Sequence, residues 1–249
     1  MRRAALVLGT LAAALAGCGG DAAPERAPVA SATPGATASP SRAATPAAPP
    51  TRAVRFRATD GRRVEGRFSE GRGRNAPAVV LLHEIRGGPD QWTPLLGSLH
   101  EAGFATLAYR SRPSIVESDR LPDAIGALRW LRSRRGVDGS RLGMVGASIG
   151  ASTTVLAMAG EGGRLARAAV ALSPPDSSDI WDLQGRGRYR PHDLLLVSDQ
   201  RESSSAEGML EGARRSRALV SERPGHGVAL LPEPGVRRAL LRWLQTRVR

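Results

Sequence analysis

One serine in the sequence stands between two glycines, at a point where an apolar run gives way to small residues. The stretch 146–150 reads Gly-Ala-Ser-Ile-Gly and follows the apolar residues of 142–145. A serine on a sharp turn between a strand and a helix projects its hydroxyl beyond the sheet, beside the free amides of the helix N-terminus. Ser148 is therefore a candidate nucleophile, although glycine and serine also form ordinary turns.

A serine hydroxyl is a poor nucleophile unless a neighbouring base takes its proton. Of the histidines in the domain, only His226 lies late in the chain, in a glycine-rich loop between the last predicted strand and the last predicted helix. His100 falls inside a predicted helix and His192 begins a predicted strand, so we expect surface and structural roles for them. The position of His226 predicts the base.

The third member of such a site is a carboxylate that orients the imidazole. The loop that follows the predicted strand ending at Val197 contains two acids, Asp199 and Glu202. The acid must reach the far side of the imidazole, which favours Glu202 because it lies further beyond the strand. Asp199 remains the alternative.

These side chains need a scaffold that brings distant parts of the chain together. Apolar runs typical of buried strands alternate with amphipathic segments typical of helices from residue 76 onward. This alternation predicts an α/β fold with a doubly wound, mainly parallel sheet. An antiparallel hairpin around Asp60 and Gly61 precedes it. The interval 173–192 is a predicted loop, too short for a large cap domain, and the segment 205–216 is a predicted helix. We therefore expect an open site, with Trp181 as a candidate wall for substrate.

The chain order of serine, acid and histidine on such a sheet resembles the α/β-hydrolase superfamily, over nearly all of residues 54–249. Within it, the stretch Glu-Ile-Arg-Gly at 84–87 resembles the turn that follows the third strand in the dienelactone hydrolase family. The resemblance implies that the backbone amides of Ile85 and Ile149 form an oxyanion hole. It also implies that Glu84 contacts the nucleophile or the substrate; otherwise Glu84 is an ordinary polar loop residue.

Two departures from that family matter for the chemistry. The family's usual nucleophile is a cysteine and its usual acid is an aspartate, whereas this chain offers Ser148 and Glu202. These differences favour the related serine esterases and peptidase-like members. We expect a serine hydrolase that cleaves a small ester or a surface-borne acyl group through an acyl-enzyme. The alternatives are acyl transfer or peptide hydrolysis at the same residues, or a non-catalytic basic lipoprotein that binds the cell envelope.

The N-terminus resembles that of an exported bacterial lipoprotein. Arg2 and Arg3 precede an apolar core of 13 residues, which is too short to span a bilayer. The core ends in Leu-Ala-Gly-Cys, which resembles a lipobox and predicts lipidation of Cys18. Residues 1–18 are thus a predicted signal peptide, 19–53 a disordered tether rich in Ala, Pro, Ser and Thr, and 54–249 the hydrolase domain. The expected location is the cell envelope, lipid-anchored on the extracytoplasmic side of a bacterial membrane.

The sequence is strongly basic, with a formal net charge of +13, and all 36 basic residues are arginine. The predicted domain holds 31 arginines against 21 acidic residues. They are scattered, with few aromatic residues between them, so we predict no specific nucleic-acid binding. No metal-ligand cluster or nucleotide-binding loop appears in the sequence, so no cofactor is implied. We expect a monomer.

Overall fold

A computed structural model describes residues 46–248, which contain one sheet of eight strands in the order β1-β2-β4-β3-β5-β6-β7-β8. β1 pairs antiparallel with β2, and β2 antiparallel with β4, while every other neighbouring pair is parallel. This confirms the predicted fold class and its opening hairpin. The strands are β1 Arg52–Arg57, β2 Arg63–Ser69, β3 Ala76–Leu82, β4 Ala105–Tyr109, β5 Val137–Ala147, β6 Ala168–Leu172, β7 Leu194–Ser198 and β8 Arg217–Val220.

Helices cover both faces of the sheet. α1 and α7 pack on one face through residues such as Leu95 and Leu244, and α2, α3, α5 and α6 pack on the other. The central strands are buried along their whole length, as their unbroken apolar runs require. The helices are α1 Thr93–Glu101, α2 Glu117–Arg132, α3 Ile149–Ala159, α4 Gly162–Leu165, α5 Ser178–Gly185, α6 Ser203–Gly208 and α7 Pro234–Val248, with short 3-10 helices at Pro89–Trp92 and Gly227–Leu230.

The register of the parallel strands brings their carboxyl ends to one edge. Leu82 of β3 lies beside Gly146 of β5, and Leu172 of β6 lies between Ala147 of β5 and Val197 of β7. The turns that leave these strands therefore start side by side. In open α/β sheets this edge is where ligands bind.

Three details differ from the expectations. β1 begins at Arg52, within the predicted tether, and the carbonyl of Pro46 already contacts Gly97 of α1. The 173–192 interval, expected as a loop, contains helix α5. The helix predicted over 205–216 is the short α6, which ends at Gly208, and Gly212 beyond it turns the chain with a φ of 85°.

The N-terminal predictions concern a part of the chain outside the described residues. These are the signal peptide, Cys18 and the tether up to residue 45. Within residues 46–248, no helix is both long and apolar enough to cross a membrane.

Candidate active site

Ser148 stands at the junction of β5 and α3 in a strained backbone conformation. Its φ of 52° and ψ of −126° lie in a region that residues with a side chain rarely adopt. The Ser148 amide donates a 2.9 Å hydrogen bond to the carbonyl of Leu172 on the neighbouring strand, which holds the turn in place. The side chain is half-buried. The strand-to-helix elbow predicted from the sequence is thus present.

The two glycines around Ser148 are required by close backbone approach. A Cβ on Gly146 would collide with the carbonyl of Gly150. A Cβ on Gly150 would collide with the carbonyl of Leu82 and would lie 2.8 Å from that of His83. The start of α3 therefore presses directly on the end of β3, and this brings Ser148 next to the turn that follows β3.

His226 lies in the loop after β8, and its ring reaches the loop after β7. The distance between His226 Nδ1 and Glu202 Oε1 is 2.7 Å. The His226 side chain is 47% exposed and that of Glu202 31%. The second oxygen of Glu202 is buried without a hydrogen-bond partner among the described residues. Among the described residues, the hydrogen bond to the His226 imidazole is therefore the one that the Glu202 carboxylate makes.

Asp199, the alternative acid, has different partners. Its carboxylate accepts hydrogen bonds from the guanidinium of Arg201 at 2.5 Å and from the amide of Gly225 at 3.1 Å. The Arg201 side chain lowers the pKa of Asp199 to about 2. Asp199 thus anchors the loop that carries His226 and does not bind the ring itself.

Ile85 lies in the turn that follows β3. A hydrogen bond of 3.1 Å from the Gly87 amide to the Glu84 carbonyl closes this turn. Ile149 is the first residue of α3, where backbone amides have no intrahelical acceptor. Ile85 is an exposed large hydrophobic residue, whereas Ile149 is buried. The start of α3 contacts the end of β3 at Gly150, and an oxyanion hole formed by the amides of Ile85 and Ile149 stays a prediction.

Glu84 links this turn to the histidine loop. Its Oε1 accepts a 2.9 Å hydrogen bond from the amide of Val228, and its carboxylate lies against Gly227. The Glu84 amide in turn donates to Oε1 of Gln91 at 3.2 Å. These contacts give Glu84 a clear role in holding two loops together. Contact with a nucleophile or a substrate stays a prediction.

His83 is a functional candidate that the sequence analysis missed. Its Nε2 accepts from the Ser111 amide at 3.0 Å, so the proton sits on Nδ1, which donates to the Glu84 carbonyl at 2.5 Å. Burial is the main reason that the pKa of His83 is lowered, and the ring is therefore neutral. A polar residue directly after a fully apolar strand was the available signal.

The remaining predicted residues lie farther from this group. Trp181 of α5 is 38% exposed and its ring packs against Gly208 of α6. His100 Nδ1 lies 3.1 Å from the carbonyl of Glu70, and His192 Nε2 lies 2.9 Å from that of Gly163. His100 and His192 are thus bound to the backbone of their own surroundings. Trp181 as a wall of the substrate site stays a prediction.

Sequence comparison identifies no relative: no family model matches the chain, and neither does any curated protein. Solved structures do match. An esterase from Pyrococcus furiosus superposes with a TM-score of 0.65 at 16% identity, covering 80% of this chain and 94% of the esterase. A dienelactone hydrolase from Anabaena variabilis superposes with a TM-score of 0.63 at 18% identity, covering 81% and 99%.

A third match has a different activity in its name. An acylaminoacyl peptidase from Pyrococcus horikoshii superposes with a TM-score of 0.61 at 12% identity, over 80% of this chain and 42% of the peptidase. Identities this low carry the fold and not the substrate. The strand order, the elbow at Ser148 and these neighbours together show that the chain has the α/β-hydrolase fold.

Proposed function

We propose that this protein is a serine hydrolase that cleaves carboxylic esters through an acyl-enzyme intermediate. The observation that carries the proposal is the 2.7 Å contact between His226 and Glu202 at the sheet edge where the strained turn exposes Ser148. A carboxylate on Nδ1 fixes the imidazole tautomer that leaves Nε2 as the proton acceptor. Within the described residues His226 Nε2 has no hydrogen-bond partner, so it is available for a serine proton.

In this mechanism Ser148 Oγ attacks the carbonyl carbon of the ester while His226 Nε2 takes the hydroxyl proton. The tetrahedral oxyanion accepts hydrogen bonds from the amides of Ile85 and Ile149, each worth about 3 kcal/mol of transition-state stabilisation. The intermediate collapses, and the alcohol leaves with the proton from His226. Water then attacks the acyl-enzyme with His226 as base, which releases the acid and restores Ser148.

Two further residues support this geometry without touching the reacting atoms. His83 holds the Glu84 carbonyl, and Glu84 holds the Val228 amide two residues after His226. The oxyanion turn and the base loop are therefore positioned relative to each other by direct hydrogen bonds. Positioning of this kind matters because a displacement of about 1 Å can reduce the rate about 100-fold.

The test uses a fluorophosphonate probe and p-nitrophenyl esters of graded chain length. The full chain should be labelled and should hydrolyse at least one ester, while Ser148→Ala should do neither. Ser204→Ala, an exposed serine near the acid loop, is the matched control and should behave as wild type. If the folded wild-type protein reacts with neither reagent, the hydrolase proposal is wrong and a non-catalytic envelope protein is favoured.

Acyl transfer and peptide hydrolysis use the same residues, and one experiment distinguishes them from ester hydrolysis. The protein is supplied with an ester, a peptide p-nitroanilide of the same acyl group, and an alcohol acceptor. Ester hydrolysis should exceed peptide hydrolysis by at least tenfold, with free acid as the main product. A predominance of transferred acyl product would identify an acyltransferase instead.

We propose further that Cys18 is lipidated and anchors the protein on the extracytoplasmic side of a bacterial membrane. The proposal rests on the lipobox-like sequence before this single cysteine. In bacterial cells, labelled fatty acid should enter the wild-type chain but not Cys18→Ser. Incorporation into Cys18→Ser would contradict it.

A further inference from the structure

A large cavity lies on the exposed face of the opening hairpin. Its volume is about 790 Å³, and a second cavity of about 490 Å³ shares Arg55, Glu65 and Arg110 with it. The two form one continuous depression, which we call the arginine groove. Its charged lining residues are Arg55, Arg62, Arg63, Glu65, Arg67, Asp90 and Arg110.

The opening hairpin carries an excess of positive charge. Residues 52–74 contain eight arginines and three acidic residues. Along the strands, apolar residues such as Phe56 and Val64 face the core, and arginines at alternate positions face outward. Arg57 lies directly opposite Arg63 in the register. Like charges directly opposite each other destabilise a strand pair, so this arrangement is unfavourable for folding alone.

The acidic residues of the groove are already bound to arginines. Arg55 lies 3.1 Å from Glu65, and Arg67 lies 3.1 Å from Asp90. All four side chains are more than half exposed, so these pairs are weak and screened by water. They neutralise part of the lining and leave no carboxylate for the remaining arginines.

Arg62 pairs with Asp123 at 2.9 Å, so Arg63 and Arg110 are the remaining arginines. Neither has a carboxylate within ion-pair distance among residues 46–248. The Arg110 guanidinium lies against Gly88, where a Cβ would be 3.3 Å from Nη2. Gly88 follows the turn that carries Ile85, so the groove borders the segment after β3.

We propose that the arginine groove binds a linear polymer with a phosphate in each repeat unit. Alternate residues on a strand are about 7 Å apart. Arg55 and Arg57 have this spacing on β1 and Arg63 lies opposite Arg57, so cations recur along this part of the hairpin at a spacing that a repeating anion can follow. Arg57 borders the groove and lies opposite Arg63 in the register. The two non-bridging oxygens of one phosphodiester point in different directions, so a single phosphate can accept from both arginines. The proposal goes beyond the hydrolase function and does not depend on it.

The test measures binding of fluorescently labelled inorganic polyphosphate to the full chain carrying Ser148→Ala, at several salt concentrations. Arg63→Gln combined with Arg110→Gln should weaken binding about tenfold and reduce the steepness of its salt dependence by about 1.5. The double variant Arg188→Gln, Arg238→Gln removes the same charge from exposed sites elsewhere and should change affinity less than twofold. Glu65→Gln should strengthen binding about threefold, because it frees Arg55.

Several outcomes would overturn the proposal. If both double variants weaken binding equally, the attraction is to the overall charge and not to the groove. Failure of the parent chain to bind polyphosphate at 50 mM salt would also exclude the groove as a site. If poly-glutamate of equal length binds as tightly, the groove does not select phosphate. Each variant is first compared with its parent by near-ultraviolet circular dichroism, so that misfolding is recognised separately.

Discussion

The carboxyl edge of the sheet and the opening hairpin hold their charged side chains in opposite ways. At the carboxyl edge, Glu84, Asp199 and Glu202 each bind a defined partner on another loop or strand end. At the hairpin, arginines are exposed, and Arg63 lies opposite another arginine. Charge at the first region is thus used for positioning within the protein, whereas charge at the second region stays exposed to solvent.

The largest effect is expected when the contact between His226 and Glu202 at the carboxyl edge is broken. Glu202→Gln should reduce kcat for a p-nitrophenyl ester roughly 1,000-fold, because the imidazole loses the carboxylate that fixes its tautomer. Asp199→Asn should cost about tenfold or less, since Asp199 holds only the loop. The two variants are compared by steady-state kinetics. Equal losses, or a larger loss for Asp199→Asn, would contradict the assignment of the acid.

The next largest effect is expected where α3 lies against the end of β3, at Gly150. Gly150→Ala inserts a Cβ against the carbonyls of Leu82 and His83, and backbone cannot move aside as a flexible side chain would. We expect kcat to fall about 100-fold and stability to fall by about 1–3 kcal/mol. Gly185→Ala, where nothing lies within 4 Å of the added Cβ, is the matched control. Kinetics and urea unfolding of the two variants provide the comparison.

A smaller effect concerns pH. Burial lowers the pKa of His83 below its usual value of about 6.5, so the unfolded chain binds a proton that the folded chain refuses. Stability should therefore fall as the pH drops below 6.5, by at most about 1.4 kcal/mol per pH unit for this group. His83→Gln should make this dependence shallower in urea unfolding at pH 7.5, 6.5 and 5.5. An unchanged slope would show that His83 does not contribute.

The smallest effect is a change in stability that we expect at the hairpin. Arg63→Gln should raise stability by about 0.3 kcal/mol, since it removes a like-charge pair with Arg57. Arg63→Lys keeps the charge and should show no such gain. Thermal unfolding at low salt measures both. A loss of stability in Arg63→Gln would mean that the arginine supports the hairpin fold and is not held there at a cost.

Much of the sheet is predictable because its central strands are unbroken apolar runs that can only be buried. α5 was not predicted, since its sequence is short and polar around Ile180 and Trp181. Likewise, the predicted helix ends at Gly208, and Gly212 beyond it turns the chain.

The residues of the candidate site also fall into two groups, those that the sequence predicts and those that only the structure reveals. Ser148 and His226 could be proposed from their chain order and from the elements around them. Glu202 was favoured over Asp199 only by its distance from the strand end. The contacts that distinguish the two acids depend on how a single loop folds and on Arg201, which the sequence does not reveal. The contact between Arg110 and Gly88 is equally invisible in the sequence, since they come from turns after different strands.

The hydrogen bond between Glu84 and Val228 joins positions 144 residues apart in the chain. The bond holds the segment after β3 against the segment after β8, so the conformation of each segment depends on the other. Grafting either one alone from a related scaffold would leave a carboxylate or an amide without its complement. Redesign of this enzyme-like surface should therefore exchange both segments together.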